Sequence, residues 1–233
     1  MPTEPDLSGV VTGLYVGQPQ PLWPGRPSSA IKKYPVEGAA KIDGRGFVGD
    51  QQADLKVHGG ADKAVHHYAE EHLEYWKVQF PEHAAFFQPG CFGENITTTG
   101  FNEQGLCIGD VLTVGTAKVQ ITQGRQPCWK LNAHTGINEM AAQFQQTAYT
   151  GWYYRVVEAG SVSVGERMAL IDRVHPDWTV HKVTKARFNP HIDGEAAKTL
   201  SSLTGLSESW RAAFMKKADR LYRENTDARL KGA

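Results

Sequence analysis

Three short stretches hold residue types and spacings that core packing alone does not require. In Gly124-Arg125-Gln126-Pro127-Cys128-Trp129-Lys130-Leu131-Asn132 a single thiol stands between two cations. Such cations favour the thiolate, the form that attacks electrophiles and binds soft metals. Pro127 fixes its own φ and removes a backbone donor, which suits a side chain held in one direction. A predicted strand ends at Thr122, so Cys128 is expected in a loop at a strand end. The alternative for this residue is a packed, inert cysteine.

The second stretch, residues 57–68, sets His58, Asp62, Lys63, His66 and His67 around the pair Gly59-Gly60. Two glycines permit positive φ and close approach of backbone to a ligand. Consecutive strand residues face opposite ways, so His66 and His67 cannot both enter one site. The plainer reading is a tight polar turn with one satisfied histidine. Zinc fits poorly, because paired cysteines and helical i, i+4 histidines are both missing. The third stretch, Gly90-Cys91-Phe92-Gly93-Glu94-Asn95-Ile96, offers Glu94 or Asn95 to orient a ligand amide or a basic group. Its alternative is a turn entering a strand, with Asn95 bonded to its own backbone. Cys91 and Cys107 read as small buried hydrophobes.

The elements that must carry these stretches are mostly short strands. Leu7–Gly17 reads as the first strand, followed by a Pro-rich loop from Gln18 to Ser29. Ile31–Val36 and Ala40–Ile42 read as further strands, with Asp43–Gly44 as a turn. Val111–Val114 and Lys118–Thr122 fit a hairpin across Gly115–Thr116, and Tyr153–Glu158 and Arg167–Ile171 continue the rhythm. Many short strands at close spacing favour a closed barrel over a doubly wound sheet. Two helices interrupt them: Glu70–Gln79, stopped by Pro81, and Ile137–Gln145 after Thr135–Gly136. After Asp172 the texture becomes polar and helix-forming. Gly194–Leu203 and Ser207–Tyr222 are expected helices, the latter capped by Ser207 with Trp210, Ala213, Phe214, Ala218 and Leu221 on one stripe. A third, weaker helix starts near Lys182. The boundary of this all-α appendage falls near Arg173–Trp178.

Bulk composition narrows the function classes. Hydrophobic residues make up 40% and charged residues 21% of the 233 residues, enough for a real core without disulfide staples. Lys plus Arg (25) balances Asp plus Glu (25), so no global field exists to hold nucleic acid or an anionic membrane. Three cysteines, none in a C-x-x-C pair, argue for a reducing compartment. The first residues lack a signal-peptide profile and no apolar run approaches a membrane span. The expectation is a soluble, cytoplasmic protein.

Together the motifs His58-Gly59-Gly60 with Asp62-Lys63-Ala64, then Gly90-x-Phe92-Gly93-Glu94-Asn95, then Arg125-x-Pro127-Cys128-x-Lys130 resemble the MOSC domain family, in its YiiM-like branch. The resemblance covers nearly the whole chain and rests on three ordered motifs. It implies a mainly β fold, a MOSC-type β-barrel with a few packing helices over residues 1–173. A small all-α C-terminal domain of three helices follows over residues 174–233. It also implies a link to the molybdenum cofactor (molybdopterin), with Cys128 matching the cysteine that ligates molybdenum in amidoxime-reducing relatives. YiiM-like proteins are associated with reducing N-hydroxylated compounds such as 6-hydroxylaminopurine.

Under that implication the cofactor's phosphate needs cations and backbone amides. Arg125, Lys130, Lys63 and Gly59–Gly60 are the candidates, with Asp62, Glu94 and Asn95 beside them. Reducing an N–OH group expels water, so a proton donor is required, and His58 or His66 is inferred for it. No ferredoxin-type cysteine cluster and no G-x-G-x-x-G fingerprint is present, so a separate reductase is expected to supply electrons. Two other roles use the same thiol: a persulfide carrier that passes sulfur on, and a non-catalytic cofactor-binding protein. The helical tail is either a docking surface, for a partner or in a homodimer, or a lid packed on the barrel.

Overall fold

The computed structural model describes residues 7–54, 59–219, 222 and 224–232. The first strand, β1 (Ser8–Val16), is followed by β2 (Tyr34–Pro35), β3 (Ala40–Asp43), β4 (Gly46–Phe47) and β5 (Val65–Ala69). Helix α1 (Glu71–Gln79) and a 3-10 turn at Pro81–Phe86 lead to β6 (Ile96–Thr99), β7 (Val111–Val114) and β8 (Ala117–Gly124). Next come α2 (Trp129–Thr135), α3 (Met140–Thr147), β9 (Trp152–Glu158), β10 (Gly160–Val162) and β11 (Arg167–Asp172). Four helices end the chain: α4 (Val180–Phe188), α5 (Gly194–Ser201), α6 (Glu208–Ala218) and α7 (Asp227–Lys231).

The sheet runs β11-β7-β8-β9-β5-β6-β1 and closes through β1 and β11, with Gly9 opposite Met168. This is the expected closed barrel, of seven strands, and closure removes the unpaired edges of an open sheet. One pairing in it is parallel, β5 with β6. A parallel pair needs a long crossover, here α1 and the 3-10 turn. That crossover returns the chain through Gly90–Asn95 beside β5, so the Asn95 side chain can accept the His66 N–H at 3.0 Å.

Local chemistry moved several boundaries. The strand expected over Ile31–Val36 is only Tyr34–Pro35, paired with Tyr15–Val16. Helix α2 was not anticipated: Thr135–Gly136 ends a helix instead of preceding one. Gly136 takes φ 73° at its C-cap, and its N–H bonds the Asn132 carbonyl. Helix α3 therefore starts later, at Met140. Ser207 does cap α6, accepting the Trp210 N–H, but the helix stops at Ala218, and Leu221 lies outside the described residues. Thr179 caps α4 the same way. Helix α7 had no sequence counterpart.

Two apolar cores result. One fills the barrel and runs without a break beneath the tail, where Val180, Val183, Leu200, Leu206, Trp210 and Phe214 join Leu112, Ile121 and Trp152. Backbone bonds from Val180 to Leu106 and from Ser207 to Thr122 stitch the same seam. The tail is thus packed on the barrel wall. The other core is aromatic and lies between α1, α3 and Phe92, where Trp76 stacks on Phe144 with centroids 5.1 Å apart. No described helix is long and apolar enough to cross a membrane.

Candidate functional site

The two cores leave a gap at one end of the barrel, where β8 and β9 meet α2. An outer cavity of about 480 Å³ opens there, lined by Lys63, Gln123, Gln126, Cys128, Trp129, Lys130, Tyr153 and Arg229, with Pro27, Ser28, Ala53, Asp54 and Ala228. A narrow inner cavity of about 60 Å³ adjoins it and adds His66, Gly93, Asn95 and Arg125. Cys128, Lys63, Lys130, Gln126 and Tyr153 border both. The half-buried thiol therefore sits where the two spaces meet.

Cys128 occupies the N-cap of α2 in an extended conformation (φ −140°, ψ 171°), not a free loop. Its carbonyl accepts the Leu131 N–H at 2.9 Å, which locks the residue to the first helical turn. Strand β8 runs two residues further than expected, to Gly124, and Arg125 follows. The Arg125 guanidinium, 9% exposed, donates to the Phe92 carbonyl at 2.6 Å and so joins two of the three motifs. Glu94 lies fully buried within the same stretch as Phe92. Its carboxylate takes the N–H groups of Gly90 (2.6 Å) and Phe92 (2.9 Å), and burial raises its pKa against those bonds and Arg125. Glu94 lines neither cavity; it shapes the loop that does.

Asn95 reaches the inner cavity with its amide committed at both ends. Its oxygen accepts from His66 N–H and its nitrogen donates to the Tyr15 carbonyl at 3.1 Å. His66 and His67 point opposite ways, as strand alternation requires. His66 borders the inner cavity, while His67 is sunk in the barrel between Thr98 Oγ1 (2.8 Å) and the Tyr154 hydroxyl (2.9 Å). Burial, with Arg125 adding repulsion, holds His66 well below the ordinary histidine range, and burial takes His67 to about 3. His66 is therefore neutral, with Nε2 3.4 Å from the Thr150 carbonyl.

The glycine pair does not border either cavity. Gly60 takes φ 100°, a conformation that strains any side chain, and its carbonyl accepts the Lys63 N–H in the turn that delivers Lys63. Burial lowers the pKa of Lys63, with Asp62 and Asp54 opposing it. Asp62, expected beside the cofactor, instead braces the tail. Its carboxylate meets Arg155 at 2.8 Å and accepts the Glu208 N–H at the start of α6. His58 lies outside the described residues.

Several lining residues escaped the sequence reading. Tyr153 was assigned to a strand without a role, although alternation along Trp152–Tyr153–Tyr154 puts it on the opposite face from two core aromatics. Its ring lies 4.8 Å from that of His66, and burial raises its pKa, so the phenol keeps its proton. Trp129 packs against Trp23 (5.4 Å) and under Arg26 (5.0 Å), which seats the Pro-rich loop at the rim. Arg229 carried no sequence signal. Among the described residues, no three His, Cys, Asp or Glu side chains are grouped to hold a metal.

Comparison with known proteins agrees with this architecture. The MOSC domain model matches residues 54–169, and the YiiM-like, 3-alpha helix domain model matches residues 178–219. Protein YiiM of Escherichia coli is 39% identical over 204 residues, 88% of this chain and 90% of that protein. The crystal structure of YiiM from Escherichia coli superposes with a TM-score of 0.80 at 32% identity, covering 96% of this chain and 98% of that one. A Gibberella moniliformis protein named Reductase is 31% identical over 162 residues, 69% of this chain but 29% of that protein. MOSC domains are associated with binding the molybdenum cofactor. The chain belongs to the YiiM family, whose members join a MOSC barrel to a three-helix domain.

Proposed function

We propose that this chain is a molybdenum-cofactor-dependent reductase of N-hydroxylated compounds, such as 6-hydroxylaminopurine, with Cys128 as the protein's ligand to the metal. One observation carries the reading: Cys128 stands at the junction of two cavities whose walls hold Arg125, Lys63, Lys130 and Arg229 against, among the described residues, the single carboxylate of Asp54. A soft thiolate suits a metal already carrying sulfur ligands, and clustered cations suit the phosphate of a pterin cofactor. The Gly59–Gly60 turn supports this by fixing Lys63 at the wall. When bound, the cofactor supplies the two-electron chemistry, and the chain supplies ligand, orientation and protons.

The reaction R–NHOH + 2e⁻ + 2H⁺ → R–NH₂ + H₂O needs a proton at the departing oxygen. Among the described residues, Tyr153 suits that role better than His66, since it borders both cavities and retains its proton at neutral pH. His58 keeps its place as the second donor inferred from sequence. Electrons come from a separate reductase in this reading. The relative named Reductase, of which the match covers 29%, supports the reductase part of this reading.

The test is metal analysis of protein made in a host that synthesises the cofactor. Near-stoichiometric molybdenum, together with reduction of 6-hydroxylaminopurine by a chemically reduced viologen dye, is expected. A persulfide on Cys128 without molybdenum would replace the reductase with a sulfur carrier. Bound cofactor without turnover would leave a binding protein.

A further inference from the structure

Away from Cys128, an open trough of about 630 Å³ runs along the helical tail. Helix α4 forms its floor. Val180, Val183, Thr184 and Arg187 turn inward and are buried, which leaves Lys182, Lys185 and Ala186 on the outward stripe at i, i+3 and i+4. Ala142 and Gln145 of α3 stand on one side and Leu200 of α5 on the other. A slot between two helices and over a third has the shape that admits one more helix. Each lysine is held in place by a backbone carbonyl. Lys182 Nζ donates to the Asp177 carbonyl (3.0 Å) and lies 4.6 Å from the centre of the Trp178 ring. Lys185 Nζ donates to the Gln146 carbonyl (2.8 Å). An ammonium has three donors, so both keep capacity for a partner. Among the described residues, no carboxylate lines the trough.

An apolar slot edged by two cations fits an amphipathic helix whose apolar stripe is flanked by carboxylates. A second copy of this chain seated symmetrically would bring its own lysines to the same face, like charge against like. The position of the trough narrows the partner further. Gln145 Oε1 accepts Arg229 Nη2 at 2.8 Å, and Arg229 Nη1 donates to the carbonyl of Pro127, the residue before Cys128. The trough and the outer cavity thus meet at one Gln145–Arg229 contact. Electron transfer weakens steeply with distance, so a protein donor has to dock close behind the metal ligand. We propose that this trough is the docking site of the electron-donating reductase, which lays a helix with acidic flanks into it. The inference rests on the function proposed above and names the surface that its partner would use.

Holoenzyme from a cofactor-producing host is assayed for 6-hydroxylaminopurine reduction with two electron sources. One is a chemically reduced viologen dye, which needs no docking. The other is NADH and NADPH with desalted extract of source cells lacking this chain. Wild type is compared with the double variant Lys182→Glu, Lys185→Glu and with Ala142→Trp, which fills the slot without changing charge. Thermal melts verify that each folds. With extract, both variants are expected to turn over about tenfold more slowly, and the wild-type rate to fall as KCl rises from about 50 to about 300 mM. With the dye, all three proteins should agree within about twofold, because the changes are on the surface away from the cavities. An extract-driven rate that either variant leaves unchanged, or that the wild type lacks, overturns the docking site alone. A wild type idle with the dye overturns the function proposed above and the docking site with it. A shift from dimer to monomer in either variant, by sedimentation, seats a second copy in the trough and overturns the reductase as its occupant.

Discussion

Charged groups are partly withdrawn from water in two regions of this molecule, and they are arranged in opposite ways. Where the tail meets the barrel, signs alternate: Asp110 takes Arg173 at 2.7 Å and the Cys107 N–H at 2.8 Å, and Asp62 takes Arg155 at 2.8 Å and the Glu208 N–H. At the barrel end, Lys63, Lys130, Arg125 and Arg229 gather around one thiol, with Asp54 alone among carboxylates of the described residues in the lining. The first pattern is complete within the chain and holds two units together. The second gathers like charges on one cavity, an arrangement that favours an anionic ligand. Burial and charge look alike residue by residue, and only the company each charge keeps separates structure from site.

Removing charges should therefore cost stability in one region and ligand in the other. The largest loss is expected for Asp110→Asn, which strands Arg173 beside a buried amide and should destabilise by about 3–5 kcal/mol in denaturant melts. Equal stability would show that the tail seam does not depend on its ion pairs.

Acid should weaken the fold by a comparable amount through the two strand histidines. Both are held neutral when folded, His66 well below its ordinary value and His67 at about 3. The unfolded chain takes up these protons near pH 6.5, so below that pH the unfolded state binds more protons and stability falls as pH falls. Between pH 6.5 and pH 5 the pair accounts for about 3 kcal/mol. A flat stability profile over that range would mean that neither residue is as enclosed as described.

A smaller effect of the other kind is expected at the cavity. Lys63→Met or Lys130→Met should lower molybdopterin content about tenfold, equivalent to about 1.4 kcal/mol. Folding stability should shift by less than about 1 kcal/mol, because each change also relieves repulsion. The smallest effect belongs to Asp62→Asn. Its ion pair is about one-third exposed, so the stability loss should stay below about 1 kcal/mol, with cofactor content unchanged. A fall in cofactor content would return Asp62 to the site.

What could be read from the sequence followed from local rules. Strand alternation separated His66 from His67, and turn chemistry placed the Gly115–Thr116 hairpin. Spacing of short strands pointed to a barrel, and Ser207 marked the start of α6. Position in space was harder. Asp62 and Glu94 sit within chemical motifs, yet one serves a helix that begins at Glu208 and the other its own loop. Their partners are chosen by the fold, and motif proximity could not show that. Cys128 was read as a loop residue because the strand before it was taken to end at Thr122 and the helix it caps, α2, was not anticipated. Arg229 stands 101 positions from Cys128 in sequence (229 − 128) and enters the site through its bonds to Pro127 and Gln145.

The central claim is that Cys128 ligates the metal, with the surrounding cations holding the cofactor. The most direct test compares molybdenum and molybdopterin content in wild type and Cys128→Ser, both made in a cofactor-producing host. The account predicts about one molybdenum per wild-type chain. In the variant, molybdenum should be lost with all N-hydroxylamine reduction, while part of the molybdopterin remains on the cations. Molybdenum retained in Cys128→Ser with undiminished turnover would contradict it.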